Sequence, residues 1–374
     1  MKVLLDLQYL NVATTGIKTY MMELAKAAIQ NPHPEIEWIF SHDPDEQAKD
    51  NTHKSPKNKF QRLNYHLDYF RWKEFQLPDM IKKHKPDLLI CPDFVSPAAK
   101  LPCKRMTVIH DAFFWEMPQN YPKWWRTYFL GLVRKGLKEP TEIVTTTEFS
   151  KKALIKHLKT EHPISVIYQT PKSLGTDRDS SILERYNIGS KAFFLHLGTF
   201  DKRKNLPILV NAFKEAKEKE KFDFKLVLAG GEGQSIQMND FPIVENLVKE
   251  LGLQDEVVLP GFVSDAEANA LYENAYAYVF PSENEGFGIP VLEAMAAGVP
   301  VIHSDQPALV EVSKGAGLIA KTGSVTDLRE KMILLAKDEN LRNDLKKRGL
   351  ERANDFGPGK FIKAFQELIL SARP

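Results

Sequence analysis

The sequence predicts an α/β protein of two domains, each a parallel β-sheet covered by helices. Three observations carry that reading. Short β-rich runs alternate with helical stretches along both halves, the pattern that puts helices on the faces of parallel sheets. The 374 residues suffice for two domains of ordinary size, each with its own core. A polar stretch rich in turn formers, QTPKSLGTDRDSS, lies within 169–190 and separates the halves.

In the first half, Val3–Leu7, Ile36–Phe40, Leu88–Cys91, Thr107–His110 and Ile143–Thr146 read as strands, with helices over 17–30 and 149–159. Residues 41–60, polar and rich in Pro, Asn and Lys, read as a mobile loop. In the second half the strands are Phe193–Leu197, Lys225–Leu228, Val257–Leu259, Tyr276–Phe280 and Val301–His303. Helices fall between them at 206–219, 242–251, 265–274 and 290–297, and an amphipathic helix at 360–372 follows the Gly357-Pro358-Gly359 break. These runs divide the chain into domains at 1–172 and 173–356 with a terminal helix at 357–374.

Residues 281–300, PSENEGFGIPVLEAMAAGVP, are the most informative stretch. Pro281 stops the strand before it. Pro290 suits the first helical position, where a missing N–H costs nothing. Gly298 suits a left-handed helix end, and Pro300 forbids continuation. Glu285 therefore lies in the loop before the helix and Glu293 in or near its first turn. Gly286 and Gly288 let the backbone pass close to a ligand, beside a helix N-terminus that favours anions. Two acceptors and exposed amides at one helix mouth suit a polyhydroxylated, phosphorylated ligand, a nucleotide sugar more readily than bare phosphate.

In open parallel sheets, ligands bind beyond the carboxyl ends of the strands. Four second-half loops lie there: Gly198–Asn205 (GTFDKRKN), Gly230–Gln234 (GGEGQ), Pro260–Ser264 (PGFVS) and Ser282–Ile289 (SENEGFGI). Lys202, Arg203 and Lys204 offer cations for a diphosphate, and the glutamates offer acceptors for hydroxyls. The first half presents Gln8–Gly16, Asp93–Pro97 and His110–Phe114 in the same way. Taken singly, each feature has a blander reading: GGEG as a turn, the basic triplet as a solvated loop, His110-Asp111 as a satisfied strand end. Their ordered placement at successive strand ends favours the functional one.

Several classes are excluded or disfavoured. No GxGxxG follows the first strand and no GxxxxGK[ST] occurs, which argues against a dinucleotide-binding dehydrogenase and a P-loop enzyme. No apolar run approaches membrane-spanning length, and Asp6 interrupts the apolar N-terminus, which reads as a strand and not a signal peptide. Cys91 and Cys103 read as reduced thiols of a cytoplasmic protein. Residues 1–175 hold 26 Lys and Arg against 19 Asp and Glu, while 176–374 hold 25 against 30. The basic half reads as scattered solvated lysines before it reads as a lipid or acidic-acceptor surface, and nothing in the sequence points to nucleic acid. The aromatic-basic stretch Phe113–Lys138 reads as a core-facing helix with basic edges, with peripheral contact at the inner face of a membrane as the alternative.

PSENEGFGIPVLEAMAAGVPVIHSD resembles the signature of the family 4 retaining glycosyltransferases, mannosyltransferase-like members included. The likeness runs in order through TTGIKTY, VIHDAFFWEMP, TTTEFSKKALI, FLHLGTFDKRKNLPILVNAF, LVLAGGEG and LPGFVSDAEANALYENAYAYVFPS. It implies the GT-B fold: two Rossmann-like domains facing a cleft, with the C-terminal helix crossing back to the N-terminal domain. It also implies a nucleotide diphosphate sugar, GDP-mannose before UDP-sugars, held by the second domain. The acceptor is a saccharide or lipid-linked saccharide held by the first, and no metal or other cofactor is required. By position, Glu285 matches the glutamate beside the donor sugar and Glu293 the one that takes the ribose hydroxyls. Phe287, Gly288 and Ile289 present amides to the sugar and diphosphate, and Gly198, Gly230 and Gly231 line the donor. Lys204 and Arg203 match the pair that neutralises the leaving diphosphate, and Phe262 and Val263 a segment lining the base. His110, with Asp111, matches the histidine near the transferred sugar, and Gly16 the glycine of the acceptor-side loop. Two positions depart from the pattern: Thr199 stands where many relatives have arginine, and Lys18 where many have glycine. An epimerase or phosphorylase of the same architecture, and a non-enzymatic sugar-binding protein, are the competing readings.

Overall fold

Parallel strands covered on both faces are apolar throughout, and Leu88–Cys91 (LLIC) and Ala277–Phe280 (AYVF) are buried at every position. The computed structural model describes residues 1–11, 13, 16–49, 59–172, 175–188, 192–220, 223–233 and 237–373. It divides into two units: Met1–Thr170 with Phe356–Pro374, and Pro171–Asp355.

The N-terminal unit holds β1 (Lys2–Leu5), β2 (Glu37–Phe40), β3 (Leu88–Cys91), β4 (Lys104–Val108), β5 (Glu142–Thr145) and β6 (Ile164–Val166). They form one parallel sheet in the order β2-β1-β3-β4-β5-β6. Its helices are α1 (Gly16–Gln30), α2 (Pro44–Lys49), α3 (Lys59–Arg71), α4 (Leu77–His84), α5 (Phe113–Glu116), α6 (Lys123–Gly136) and α7 (Glu148–Leu158). The C-terminal unit holds β7 (Ala192–Leu197), β8 (Phe224–Ala229), β9 (Val257–Gly261), β10 (Ala277–Phe280), β11 (Val301–Ser304) and β12 (Leu318–Ala320). Their order is β12-β11-β10-β7-β8-β9, again wholly parallel. Its helices are α8 (Ser181–Arg185), α9 (Leu206–Glu220), α10 (Phe241–Glu250), α11 (Asp265–Asn274), α12 (Ile289–Ala296), α13 (Pro307–Ser313), α14 (Val325–Lys337) and α15 (Glu339–Ala353). The last helix, α16 (Pro358–Ser371), returns to the N-terminal unit. There Phe361, Ile362, Phe365 and Ile369 enter the core formed with α1, β1 and β3.

The loop read at 41–60 is corrected in part. Pro44–Lys49 is helical, opened by the Asp43 carboxylate, which accepts from the amides of Asp45 and Glu46; residues 50–58 lie outside the described residues. The edge strands β6 and β12 are three residues each and gave no alternation to read. A π-helical turn, Trp72–Gln76, joins α3 to α4. In α6, Leu130, Leu132, Val133 and Gly136 face the core while Trp124 is 65 % exposed. Cys91 and Cys103 are free thiols. No helix among the described residues is long and apolar enough to cross a membrane.

Candidate functional site

A topological switch point arises where neighbouring strands send their connections to opposite sides, leaving a crevice at their carboxyl ends. In the C-terminal sheet that point lies between β7 and β10. The β7 loop makes a short 3₁₀ turn, Lys202–Lys204, ended by Asn205 in the left-handed conformation (φ 54°), which frees α9 to begin. Two bonds stitch this loop to the one after β10: the Glu283 amide donates to the Arg203 carbonyl at 2.7 Å, and the Ser282 hydroxyl, its one proton shared with Glu285, reaches the same oxygen at 2.9 Å. Asn205 Nδ2 adds a third by donating to Glu283 Oε1 at 2.9 Å.

This stitching brings together Lys204, Arg203 and Glu285. Glu285 Oε1 accepts from Arg203 Nη1 (2.5 Å), Lys204 Nζ (2.6 Å) and Ser282 Oγ (2.8 Å). Among the described residues no hydrogen bond reaches Oε2. One carboxylate oxygen is thus pinned by three donors, and the other is left as an acceptor. Burial works against the charged carboxylate, yet Arg203 and Lys204 hold its pKa down to about 2. Lys204 is 5 % exposed and lies 4.2 Å from the Phe280 ring centroid. Burial and the adjacent Arg203 lower its pKa to about 8, so it stays protonated at neutral pH while losing its proton more easily than a surface lysine. At Thr199 the hydroxyl donates to Asp201 Oδ2 at 2.8 Å, and the cationic charge of the loop rests on residues 202–204.

Glu293 is the fifth residue of α12, one turn in, and accepts from Tyr272 Oη at 3.2 Å. Buried Tyr278 feels both Glu293 and Glu285, which together with burial raise its pKa well above the phenol range. Gly288 caps α12 at φ 100°, where a Cβ would meet Leu309 Cδ2 at 2.4 Å, so the fold itself demands glycine there. Phe287 is buried and Ile289 opens the helix. Gly230, at φ 146°, sets its backbone so close to the β7 loop that a Cβ would lie 1.9 Å from the Gly198 carbonyl oxygen. That glycine is explained by strand-end packing, whereas a Cβ on Gly231 would meet nothing within 4 Å. Phe262, following β9, is 84 % exposed, with Val263 half-buried beside it.

The other candidate residues lie in the N-terminal unit. His110, past the end of β4, is buried, its Nε2 donating to the Pro92 carbonyl at 2.8 Å. Burial pushes its pKa down to about 4, so the ring is neutral and Nδ1 is its acceptor. Tyr20 packs edge-on against it, with centroids 4.6 Å apart, and Phe361 of α16 backs Tyr20 at 5.4 Å. Asp111 accepts from the Phe113 amide at 3.0 Å. Gly16 and Lys18, read as loop and helix start, both belong to α1; of the loop before them, residues 12, 14 and 15 lie outside the described residues.

One cluster escaped the sequence reading. Lys73, 1 % exposed, donates from Nζ to Asp6 Oδ2 (2.8 Å) and Asp93 Oδ1 (2.7 Å). Asp6 Oδ1 also accepts from Trp72 Nε1 and Asp93 Oδ2 from Tyr69 Oη. Burial opposes the ammonium, and the two carboxylates more than restore it, raising the lysine's pKa. The available signal was an aspartate one residue beyond β1 and another two residues beyond β3, both apolar strands. Among the described residues no group of three or more His, Cys, Asp or Glu is placed to hold a metal ion.

Two six-stranded parallel units of this kind, with the terminal helix returned to the first, define the GT-B class of glycosyltransferase fold. Sucrose-phosphate synthase from Thermosynechococcus elongatus superposes with a TM-score of 0.74 at 18 % identity, over 100 % of both chains. The family model "Glycosyltransferase Family 4" matches residues 14–169 and "Glycosyl transferases group 1" matches 180–352. The chain belongs to the family 4 glycosyltransferases. It is 28 % identical to O-antigen chain mannosyltransferase B of Escherichia coli, over 68 % of this chain and 66 % of that protein. It is 29 % identical to O-antigen chain mannosyltransferase RfbU of Salmonella typhimurium, over 56 % and 54 % respectively. The alignments thus span less than two thirds of these relatives' length.

Proposed function

We propose that this protein transfers a hexose, with retention at the anomeric carbon, from a nucleotide diphosphate sugar to a saccharide or lipid-linked saccharide acceptor. GDP-mannose is the favoured donor, supported by relatives named as mannosyltransferases, with UDP-sugars next. The observation that carries the reading is the half-satisfied Glu285 carboxylate, flanked by two fixed cations at the switch point. Oε2 accepts a donor-sugar hydroxyl. Lys204 and Arg203 meet the charge that develops on the departing diphosphate, a role for which preorganised donors commonly supply the largest catalytic term. No metal is needed for that role when buried Lys204 and half-buried Arg203 fill it.

Glu293, oriented by Tyr272, takes ribose hydroxyls, and exposed Phe262 offers a face for the base. His110, neutral and fixed by Pro92, presents Nδ1 as an acceptor for a sugar hydroxyl. No side chain is assigned as nucleophile; the acceptor hydroxyl attacks the face from which the diphosphate departs. Peripheral membrane contact through Lys123, Trp124, Arg134 and Lys135 on the outer side of α6, with Lys138 just beyond its end, belongs to the same proposal, and flotation with anionic liposomes at low salt tests it.

The central test is a thermal-shift screen against GDP, UDP, ADP and dTDP sugars, followed by incubation with the radiolabelled donor that stabilises most. Transfer to a saccharide supports the proposal. Release of an isomerised free nucleotide sugar would make the protein an epimerase, and binding without turnover a sugar-binding protein. No stabilisation by any nucleotide sugar refutes the reading.

A further inference from the structure

Two consecutive residues at the end of α8 hold the loop after β9 at both of its ends. Tyr186 Oη donates to the Pro260 carbonyl at 3.2 Å, just before the chain leaves the sheet at Gly261 (φ 76°). Arg185 Nη2 donates to Glu267 Oε1 at 2.5 Å. The other oxygen of that carboxylate accepts from the Ser264 amide at 2.7 Å, while the Ser264 hydroxyl accepts from the Glu267 amide, the reciprocal capping box that opens α11. Between these two anchor points run Gly261, Phe262 and Val263. A side chain as exposed as Phe262, at 84 %, takes little guidance from packing, so its backbone must place it.

A helix of five residues has no stability of its own, and α8 is tied down by contacts that involve neither Arg185 nor Tyr186. Buried Lys225 of β8 donates to the Asn187 carbonyl at 2.7 Å, just past the helix end. Before the helix, the Asp179 amide donates to the Ala266 carbonyl (3.0 Å) and Asn269 Nδ2 to the Asp177 carbonyl (2.9 Å). Arg178 pairs with Glu273 and Lys172 with Asp265, both on α11. Ile182 is wholly buried. The helix is therefore fixed on α11 and β8, and losing either clamp side chain frees the loop without releasing the helix.

We propose that Arg185 and Tyr186 are positioning residues for the base of the donor nucleotide. They act through the loop and not on the ligand: Phe262 and Val263 are held as a preformed surface, so the nucleotide need not order them on arrival. The inference rests on the transfer reading for the base lying at Phe262, and on the hydrogen bonds alone for the clamp. The Arg185 side chain is 51 % exposed, so salt weakens its half of the clamp and spares the neutral Tyr186 half.

Calorimetry on the full chain tests it, with GDP, UDP and inorganic pyrophosphate as probes. Tyr186→Phe and Arg185→Met each weaken the better-bound nucleoside diphosphate roughly fivefold, the worth of one hydrogen bond. Arg185→Lys restores most of the loss, and kcat at saturating donor stays at the wild-type value. Pyrophosphate, which has no base, binds all variants as it binds the wild type. In the ligand-free protein, hydrogen exchange quickens at the amides of Phe262, Val263 and Ser264. Unchanged nucleotide affinity in both variants overturns the proposal, and so does an equal loss for pyrophosphate, which would mark a general disturbance of the unit. Exchange that stays at the wild-type rate in both variants refutes the clamp alone. A wild type that binds neither nucleotide refutes the transfer reading and takes the base role with it, whatever the exchange rates show of the clamp.

Discussion

Lys204→Met removes one cation from the switch-point cluster while keeping an unbranched chain of similar length over the Phe280 ring. Two effects on stability oppose each other. Lys204 sits at about 8, down from 10.5, and at pH 7 such a shift disfavours the folded state by about 3 kcal/mol. Glu285 sits at about 2, down from 4.5, which favours the folded state by about 3 kcal/mol at the same pH. The substitution relieves the first and forfeits only part of the second, because Arg203 and Ser282 stay on Oε1. The net change is therefore neutral to stabilising, and the Tm of the variant does not fall below that of the wild type. Catalysis has no such compensation: one missing preorganised donor lowers kcat by about 10²–10³. Scanning fluorimetry and initial rates with the best-binding nucleotide sugar measure the two quantities side by side. Near-normal turnover would refute the leaving-group role of Lys204. A rate loss that tracks extensive unfolding would show that the lysine is chiefly a structural partner of Glu285.

The same lysine sets a pH signature: kcat/KM, which reports the free enzyme, falls as pH rises through about 8, and Lys204→Met lacks that limb. Because its folded pKa lies below the unfolded one, the stability penalty carried by Lys204 fades as pH rises from about 8 to 10.5, so unfolding does not explain the decline. Acid acts on the other partner: the stability that Glu285 contributes is lost as pH falls from about 4.5 towards 2, read by equilibrium denaturation across that window. Glu293→Ala weakens nucleotide-sugar affinity by roughly tenfold, as two hydroxyl contacts of ordinary strength require, with kcat less affected; calorimetry separates the two. Gly230→Ala drives a Cβ into the Gly198 carbonyl, so soluble yield and Tm fall sharply even without ligand. Deleting Pro358–Ser371 exposes the core that received Phe361, Ile362, Phe365 and Ile369. At about 1.5–3 kcal/mol per large side chain this approaches the whole stability of a domain, and loss of near-ultraviolet dichroism reports it.

The parallel sheets were legible because their central strands are unbroken apolar runs closed by Pro, Gly or Asp, as in AYVFP and LLICPD. The α12 boundaries were legible to within a residue because Pro290 and Gly298 act through their own backbones. Edge strands such as Ile164–Val166 escaped because three residues carry no period. The long helices at 59–84 and 325–353 escaped because charge and aromatics are spread around them with no clear stripe. At the candidate site the sequence placed Lys204 and Glu285 at two strand ends. It held no sign that they would meet at 2.6 Å, since that depends on β7 and β10 being neighbours across a crossover. Lys73 was less legible still: a lysine in a charge-rich segment reads as solvated until its two aspartate partners, supplied by strand ends elsewhere in the sequence, are known.

The position of α16 has a bearing on biosynthesis. The N-terminal sheet is translated first, yet the helix that closes its core is made only after the entire C-terminal unit. At roughly 5–20 residues per second that interval lasts on the order of 10–40 s. Throughout it the surface of α1, β1 and β3 waits uncovered while the later unit, contiguous in sequence, has everything it needs to fold. Order of synthesis and order of completion are therefore reversed, and chaperone demand falls on the half that emerges earliest.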